Sequence, residues 1–185
     1  MKTSNILLVT LAADFAARRH INQRRKGAAR EPYVNHLAEV ANLLSEATDG
    51  ADGTIVAAGF LHDTLEDTET EYEELSSLFG EDVARLVAEV TDDKSLPKAE
   101  RKRLQVSNAA KKSEGARLIK IADKTSNLCA LAASPPADWE HERVLEYIEW
   151  SEQVVANCRG LNVRLERAFD AAVIDARTAV AARAI

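Results

Sequence analysis

Apolar residues recur along the chain at the three- and four-residue spacing of helices, and almost nowhere in the alternation of a half-buried strand. The spacing predicts a first helix over 3–20, with Ile6, Val9, Ala13, Ala16 and Ala17 on one face and Arg18, Arg19 and His20 at its end. A basic stretch, INQRRKGAARE, follows and closes at Pro32. Proline suits a first helical turn, where its missing N–H has no partner to lose. PYVNHLAEVANLLSEA therefore reads as a second helix, stopped by TDGADG. A third, over 53–66, is apolar nearly all round (Ile55, Val56, Ala57, Ala58, Phe60, Leu61), which marks a central buried helix. Thr70 and Glu73 have the spacing of a capping box and open a short helix that Gly80 ends. Another covers 81–91. After the polar TDDKSLP, Pro97 starts the basic helix KAERKRLQVSNAAKK, and ARLIKIADKTSNLCALA is again apolar on one face, closed by SPP. The last two helices cover 137–158 and 161–182, with Val144, Leu145, Ile148, Val154 and Val155 at apolar positions. No segment repeats, none is of low complexity, and none carries a strand signal. The expectation is an all-α helical bundle, a single domain over 1–185.

Composition narrows the class. A chain of 185 residues, 46% hydrophobic and 29% charged, has the makeup of a soluble globular domain long enough to bury a core. Its formal net charge is −6. An acidic chain is a poor default binder of nucleic acid or of an anionic membrane, so neither is expected as a partner, and an anionic ligand needs a local basic patch. The two cysteines, Cys129 and Cys158, lack C-x-x-C spacing, which fits a reducing, cytoplasmic compartment better than a disulfide framework or a thiolate zinc site. The opening MKTSNILLVTLAADF has a short apolar run that Asp14 breaks, so it reads as an amphipathic helix rather than a signal peptide. No run approaches the roughly 20 apolar residues that span a bilayer. Walker A and dinucleotide glycine motifs are absent.

Against that apolar background a few polar residues stand out. His62 and Glu66 are an i, i+4 pair, and so are Asp63 and Asp67; on one helix the pairs are offset by about 100° and form one polar edge. That edge puts carboxylates at the end of a helix whose macrodipole repels them, a conflict a bound cation would relieve. His36 sits in an otherwise apolar stretch of the second helix, and Asp123 interrupts LIKIADK. A buried carboxylate needs a positive partner, for which Lys120 and Lys124 are local candidates. Two histidines and two aspartates from three apolar helices make a mixed nitrogen–oxygen metal site, suited to manganese, iron or zinc more than copper. Four protein ligands on an octahedral ion leave positions for water and substrate, as metal-assisted hydrolysis requires. RRHINQRRKGAAR concentrates Arg18, Arg19, Arg24, Arg25, Lys26 and Arg30 before the His36 helix, and Lys98, Arg101, Lys102 and Arg103 add more. Guanidinium forks match phosphate oxygens, so the pattern suggests a polyphosphate. These stretches lack interleaved aromatics for base stacking, which weakens a nucleic-acid reading.

The set His36, His62-Asp63 and Asp123 resembles the ligands of HD-domain metal-dependent phosphohydrolases. FAARRHINQRRKG, EPYVNHLAEVANLL, AAGFLHDTLEDTETEYEELSSLFG, LVAEVTDDKSLPKAERKRLQ, LIKIADKTSNL and EYIEWSEQVV resemble the hydrolase domain of Rel/SpoT alarmone enzymes, above all the stand-alone small alarmone hydrolases. The likeness spans about residues 5–165. It implies hydrolysis of the 3′-pyrophosphate of guanosine tetra- or pentaphosphate (ppGpp or pppGpp), giving GDP or GTP and pyrophosphate, with Mn2+ as cofactor. His36, His62, Asp63 and Asp123 would then hold the metal, and Glu66 and Asp67 would position and deprotonate the attacking water. Arg25 and Lys26 match residues that contact the nucleotide, Asn127 one near the ribose, and Lys98, Arg101 and Tyr147 positions that meet phosphates. Related stand-alone enzymes also remove phosphate from NADPH. A non-catalytic alarmone-binding protein would be expected to lack Glu66 or Asp67, and both are present. One departure is local: relatives commonly read N-L-R after the metal aspartate, and here Cys129 replaces the arginine.

Overall fold

Side-chain caps and prolines mark where several helices begin. In the computed structural model, which describes residues 4–183, helix α1 (Asn5–Arg19) starts behind Ser4, whose hydroxyl accepts the Leu7 N–H. The Asp52 carboxylate accepts the N–H groups of Thr54 and Ile55 at 3.0 and 3.1 Å and starts α3 (Gly53–Leu61). Pro32 and Pro97 sit just ahead of α2 (Tyr33–Ala47) and α7 (Lys98–Asn108). The short α4 (Thr64–Asp67) is followed by α5 (Tyr72–Phe79) and α6 (Glu81–Val90). The last two of these meet at Gly80, whose φ of 88° is a conformation glycine adopts without strain. Ser113 caps α8 (Glu114–Ala133), and α9 (His141–Ala156) and α10 (Val163–Arg183) complete the chain.

Helix α8 is the axis of the molecule: α2, α3, α6, α9 and α10 all pack on it, while α3 also packs on α1, α2 and α6. Their apolar faces form one contiguous core among the described residues, from Ala12 to Val180 and including Leu37, Leu61, Ile119, Leu128 and Phe169. The all-α expectation holds. An isolated bridge between Arg24 and Pro32 only closes the basic segment into a loop. Gly27 pins that loop to the end of α8, because a Cβ there would lie 2.2 Å from the Ser134 carbonyl oxygen.

Several local expectations need correcting. The helix expected over 53–66 is two helices, broken at His62 and Asp63. Side chains compete for the carbonyls that would have continued it: His62 Nδ1 donates to Gly59 O at 2.8 Å and Thr64 Oγ1 to Leu61 O at 2.6 Å. Glu66 and Asp67 consequently lie in the first turn of α4 rather than at the end of a long helix, so the dipole conflict inferred for them does not exist. The capping box also fails. The Thr68 hydroxyl engages both the Thr70 hydroxyl and its N–H, and α5 starts one residue later, behind Glu71. Helix α9 begins at His141 rather than 137, because the chain turns after Pro136, with Trp139 N–H donating to its carbonyl. Ile6, placed on the buried face of the first helix, is 80% exposed; Ala12 and Ala16 carry the buried face. Residue 3, where that helix was expected to start, lies outside the described residues.

Candidate functional site

Three elements bring the four singled-out residues together. His36 projects from α2, His62 and Asp63 occupy the break after α3, and Asp123 lies on α8. Donor atoms of His36, His62 and Asp123 all lie within 4.8 Å of one another. Asp63 Oδ2 joins them, 3.1 Å from His62 Nε2 and 3.6 Å from His36 Nε2. Each ligand candidate is held from behind. His62 Nδ1 is committed to Gly59 O, and His36 Nδ1 to Ser126 Oγ at 2.8 Å, so both Nε2 atoms face the carboxylates. Tyr33 donates its hydroxyl to Asp63 Oδ2. Asn127 Nδ2 donates to Asp123 Oδ1 at 2.6 Å, and Lys124 Nζ bonds Asp123 Oδ2 at 2.8 Å. Of the two lysines considered for Asp123, Lys124 is the partner; Lys120 donates instead to Val90 O.

The electrostatics of this cluster call for positive charge. Burial alone would depress the His62 imidazole, but the Asp63 and Asp123 carboxylates outweigh it and lift its pKa to about 9. Against the same burial, His62 and His36 hold Asp63, and Lys124 with both histidines holds Asp123, well below the usual carboxylate range. His62 Nε2 is buried and makes no hydrogen bond, since its close approach to Asp63 lacks the required geometry. A buried nitrogen without a partner, facing two carboxylates and a second imidazole, fits a divalent cation whose ligands are nitrogen and oxygen.

The cluster opens into a cavity of about 800 Å³. On the acidic side, burial with Asp63 and Asp92 raises the Glu66 carboxyl. Glu66 accepts the Asp92 N–H at 3.3 Å and lies 3.5 Å from Arg101 Nη1. Asp67 accepts from Gln23 Nε2 at 2.8 Å and pairs with Lys94. On the basic side stand Arg24, Arg25, Lys26, Lys98, Arg101 and Lys102. Partial burial, then Arg143, Lys26 and Arg101, push the Lys98 ammonium down, and burial with Lys98 does the same to Lys102. Crowded cations of this kind are relieved by an anion. All six residues expected to bind substrate line this cavity: Arg25, Lys26, Lys98, Arg101, Asn127 and Tyr147. Arg25 is partly occupied already, donating to the Ser126 carbonyl at 3.1 Å and to Asn127 Oδ1 at 3.4 Å.

Not all of the basic segment converges here. Arg18 pairs with Asp14 and Arg19 with Glu74, away from the cavity, and Arg30 lines a second, smaller one. Sequence reasoning passed over Tyr33, Gln23, Lys94 and Ser126, whose contacts cross long stretches of chain and leave no local signal. It also passed over an aromatic wall. Trp139, Tyr147 and Trp150 run in series with ring centroids 5.5 and 5.4 Å apart, and the ammonium groups of Lys102 and Lys124 lie 4.7 and 4.5 Å from the Trp150 ring. The chain has only two tryptophans, and both face the cavity, which was a usable signal. Cys129 lines the second cavity beside Glu39, and Arg25 lies 3.4 Å from Glu39 Oε2 there.

Residues 12–148 match the family described as HD domain. The chain is similar to guanosine-3′,5′-bis(diphosphate) 3′-pyrophosphohydrolase MESH1 of Xenopus tropicalis, with 46% identity over 96% of this chain and 99% of that protein. The Homo sapiens protein of the same name is 51% identical over 85% of this chain and 88% of its own length. A solved structure of a metazoan SpoT orthologue, described as hydrolysing ppGpp and acting in starvation responses, matches with a TM-score of 0.86 and 45% identity, covering 93% of this chain and 96% of that one.

Proposed function

The chain belongs to the HD domain family and, within it, to the small alarmone hydrolases; from that premise we propose that it hydrolyses the 3′-pyrophosphate of guanosine tetra- and pentaphosphate, releasing pyrophosphate and GDP or GTP. The observation that carries this reading is one cavity lined by both kinds of group. His62, Asp63 and Asp123 of the buried cluster line it with Glu66 and Asp67, and so do Lys26, Lys98 and Arg101.

His36, His62, Asp63 and Asp123 would hold a divalent ion, and Mn2+ is the one we propose. Such an ion supplies Lewis-acid stabilisation of charge at the attacked phosphorus and a water of lowered pKa. The remaining work belongs to the chain itself. Glu66, its carboxyl raised by burial and by Asp63 and Asp92, is poised to accept a proton closer to neutral pH than an ordinary glutamate. Asp67, steered by Gln23 and Lys94, orients the attacking water from the other side. Lys26, Lys98 and Arg101 neutralise the phosphates, and Asn127, tied to Asp123, sets the ribose beside the metal ligands. Tyr147, flanked by Trp139 and Trp150, lines the cavity, with the Lys124 ammonium 4.5 Å from the Trp150 ring. The compartment we propose is the cytoplasm: both cysteines are free, and no described helix is long and apolar enough to cross a membrane.

The test is a competition between guanosine tetraphosphate and NADPH in Mn2+, with products separated by anion-exchange chromatography. The expected result is GDP and intact pyrophosphate with preference for the tetraphosphate. Release of orthophosphate from NADPH alone would refute the substrate assignment.

A further inference from the structure

Behind the metal-ligand candidates lies a polar network that includes Glu39 and Ser126, neither of which any step of the reaction uses. His36 Nδ1 meets Ser126 Oγ at 2.8 Å, and Ser126 Oγ in turn bonds Glu39 Oε2. Arg25 Nη1 pairs with the same Glu39 oxygen, while Arg25 Nη2 reaches Asn127 Oδ1, and Asn127 holds Asp123. Two chains of contacts therefore start at one carboxylate and end on two of the proposed metal ligands. Ser126 is fully buried, and Glu39 is half-exposed towards a second cavity of about 260 Å³. Glu39 does not line the large cavity, so it has no route to substrate except through this network.

The direction of the bonds follows from inventory. An ionised carboxylate can only accept, and a serine hydroxyl has one proton to give. Glu39 takes that proton, so Ser126 Oγ can only accept from His36, and His36 must carry its proton on Nδ1. In the neutral ring, the form that binds a metal, the Nε2 lone pair is then left facing Asp63 and Asp123. Were Ser126 free to donate inward, His36 could hold its proton on Nε2 and be unable to bind a metal.

We propose that Glu39 is a positioning residue for the metal centre, selecting the metal-binding tautomer of His36 through Ser126. This rests on the metal reading above. Glu39→Leu is the informative variant, because it removes the acceptor and frees the serine proton to turn towards His36; Glu39→Gln is the control, since its amide oxygen can take the place of Oε2 between Arg25 Nη1 and Ser126 Oγ. Ser126→Ala removes the acceptor of the His36 bond itself, and Ser126→Thr restores it. Mn2+ titration of the metal-stripped protein by calorimetry should show affinity about tenfold weaker in Glu39→Leu and Ser126→Ala, near wild type in Glu39→Gln and Ser126→Thr. Nitrogen-15 NMR of His36 should show the Nδ1–H tautomer in the wild type and the Nε2–H form gaining in Glu39→Leu. Glu39→Leu with wild-type Mn2+ affinity and an unchanged His36 tautomer overturns the proposal. His36→Ala separates the two levels. If it leaves Mn2+ binding intact, the metal reading itself is wrong; if it abolishes binding while Glu39→Leu changes nothing, only the relay is.

Discussion

Asp67 and Glu66 stand side by side on α4 but in different company. Glu66 is the more buried and has its carboxyl raised, whereas Asp67 is braced by a lysine and a glutamine amide. Loss of a positioned acid–base group costs about 10²–10⁴ in rate. We expect Asp67→Asn and Glu66→Gln each to lower kcat on guanosine tetraphosphate by at least about 10² while leaving Mn2+ affinity near wild type. Asp123→Asn should instead abolish Mn2+ binding. Steady-state kinetics alongside Mn2+ titration separate these outcomes, and full turnover in Asp67→Asn and Glu66→Gln would exclude the assigned roles. Lys98 tests the basic lining. It is crowded by Arg143, Lys26 and Arg101, and on the proposed reading its removal takes away one charge-assisted phosphate contact of about 1.5–3 kcal/mol. Lys98→Ala should therefore raise KM by roughly tenfold or more, with a weaker salt dependence of binding than in the wild type. An unchanged KM would remove Lys98 from the substrate site.

At the scale of elements, the site depends on how closely α2 and α3 approach. A Cβ on Gly59 would fall 2.6 Å from Leu44 Cδ1 and 3.3 Å from the Ala41 Cα. The Gly59 carbonyl also accepts from His62 Nδ1. Gly59→Ala must displace the buried Leu44 side chain and crowd the helix carrying His36 against the one that leads to His62. Overpacking of this kind costs about 1–3 kcal/mol. Urea unfolding should show that loss, and Mn2+ affinity should fall with it; unchanged stability would mean that the two helices are not in tight contact. The helices themselves were legible from apolar spacing, because burial on one face is what the spacing records. What spacing does not record is a side chain competing with the backbone. His62 and Thr64 break α3 by donating to Gly59 and Leu61, and Thr68 displaces the capping role expected of Thr70. His36, His62 and Asp123 were legible for a related reason: a polar residue in an apolar run must find partners. Tyr33, Ser126 and Gln23 were not, since each matters only through a neighbour far away in sequence.

At the scale of the whole molecule, a chain of net charge −6 gathers Lys26, Lys98, Arg101 and Lys102 around a cavity that the proton-hungry His62, Asp63 and Asp123 also line. That cluster makes stability depend on pH. His62 has a folded pKa of about 9 against 6.5 for the free side chain, so the folded metal-free protein keeps a proton that the unfolded chain releases between those values. The His62 contribution is fully present below pH 6.5, and about 3 kcal/mol of stability is lost as pH rises through 9. Asp63 and Asp123 are depressed below 3.8, so their contribution is present above about pH 4 and lost as pH falls further. Melting temperatures of the metal-stripped protein should therefore peak between about pH 4 and 6.5, and saturating Mn2+ should abolish the alkaline decline by taking the place of the proton. A flat profile from pH 6.5 to 9 without metal would contradict the charge balance assigned to the cluster.

The most direct test of the central claim is pyrophosphate release from guanosine tetraphosphate by metal-stripped protein, before and after Mn2+ is restored. The structure predicts no turnover without metal, full recovery on adding Mn2+, and no recovery in His62→Ala or Asp123→Asn. Undiminished pyrophosphate release after chelation, or from either variant, would contradict it.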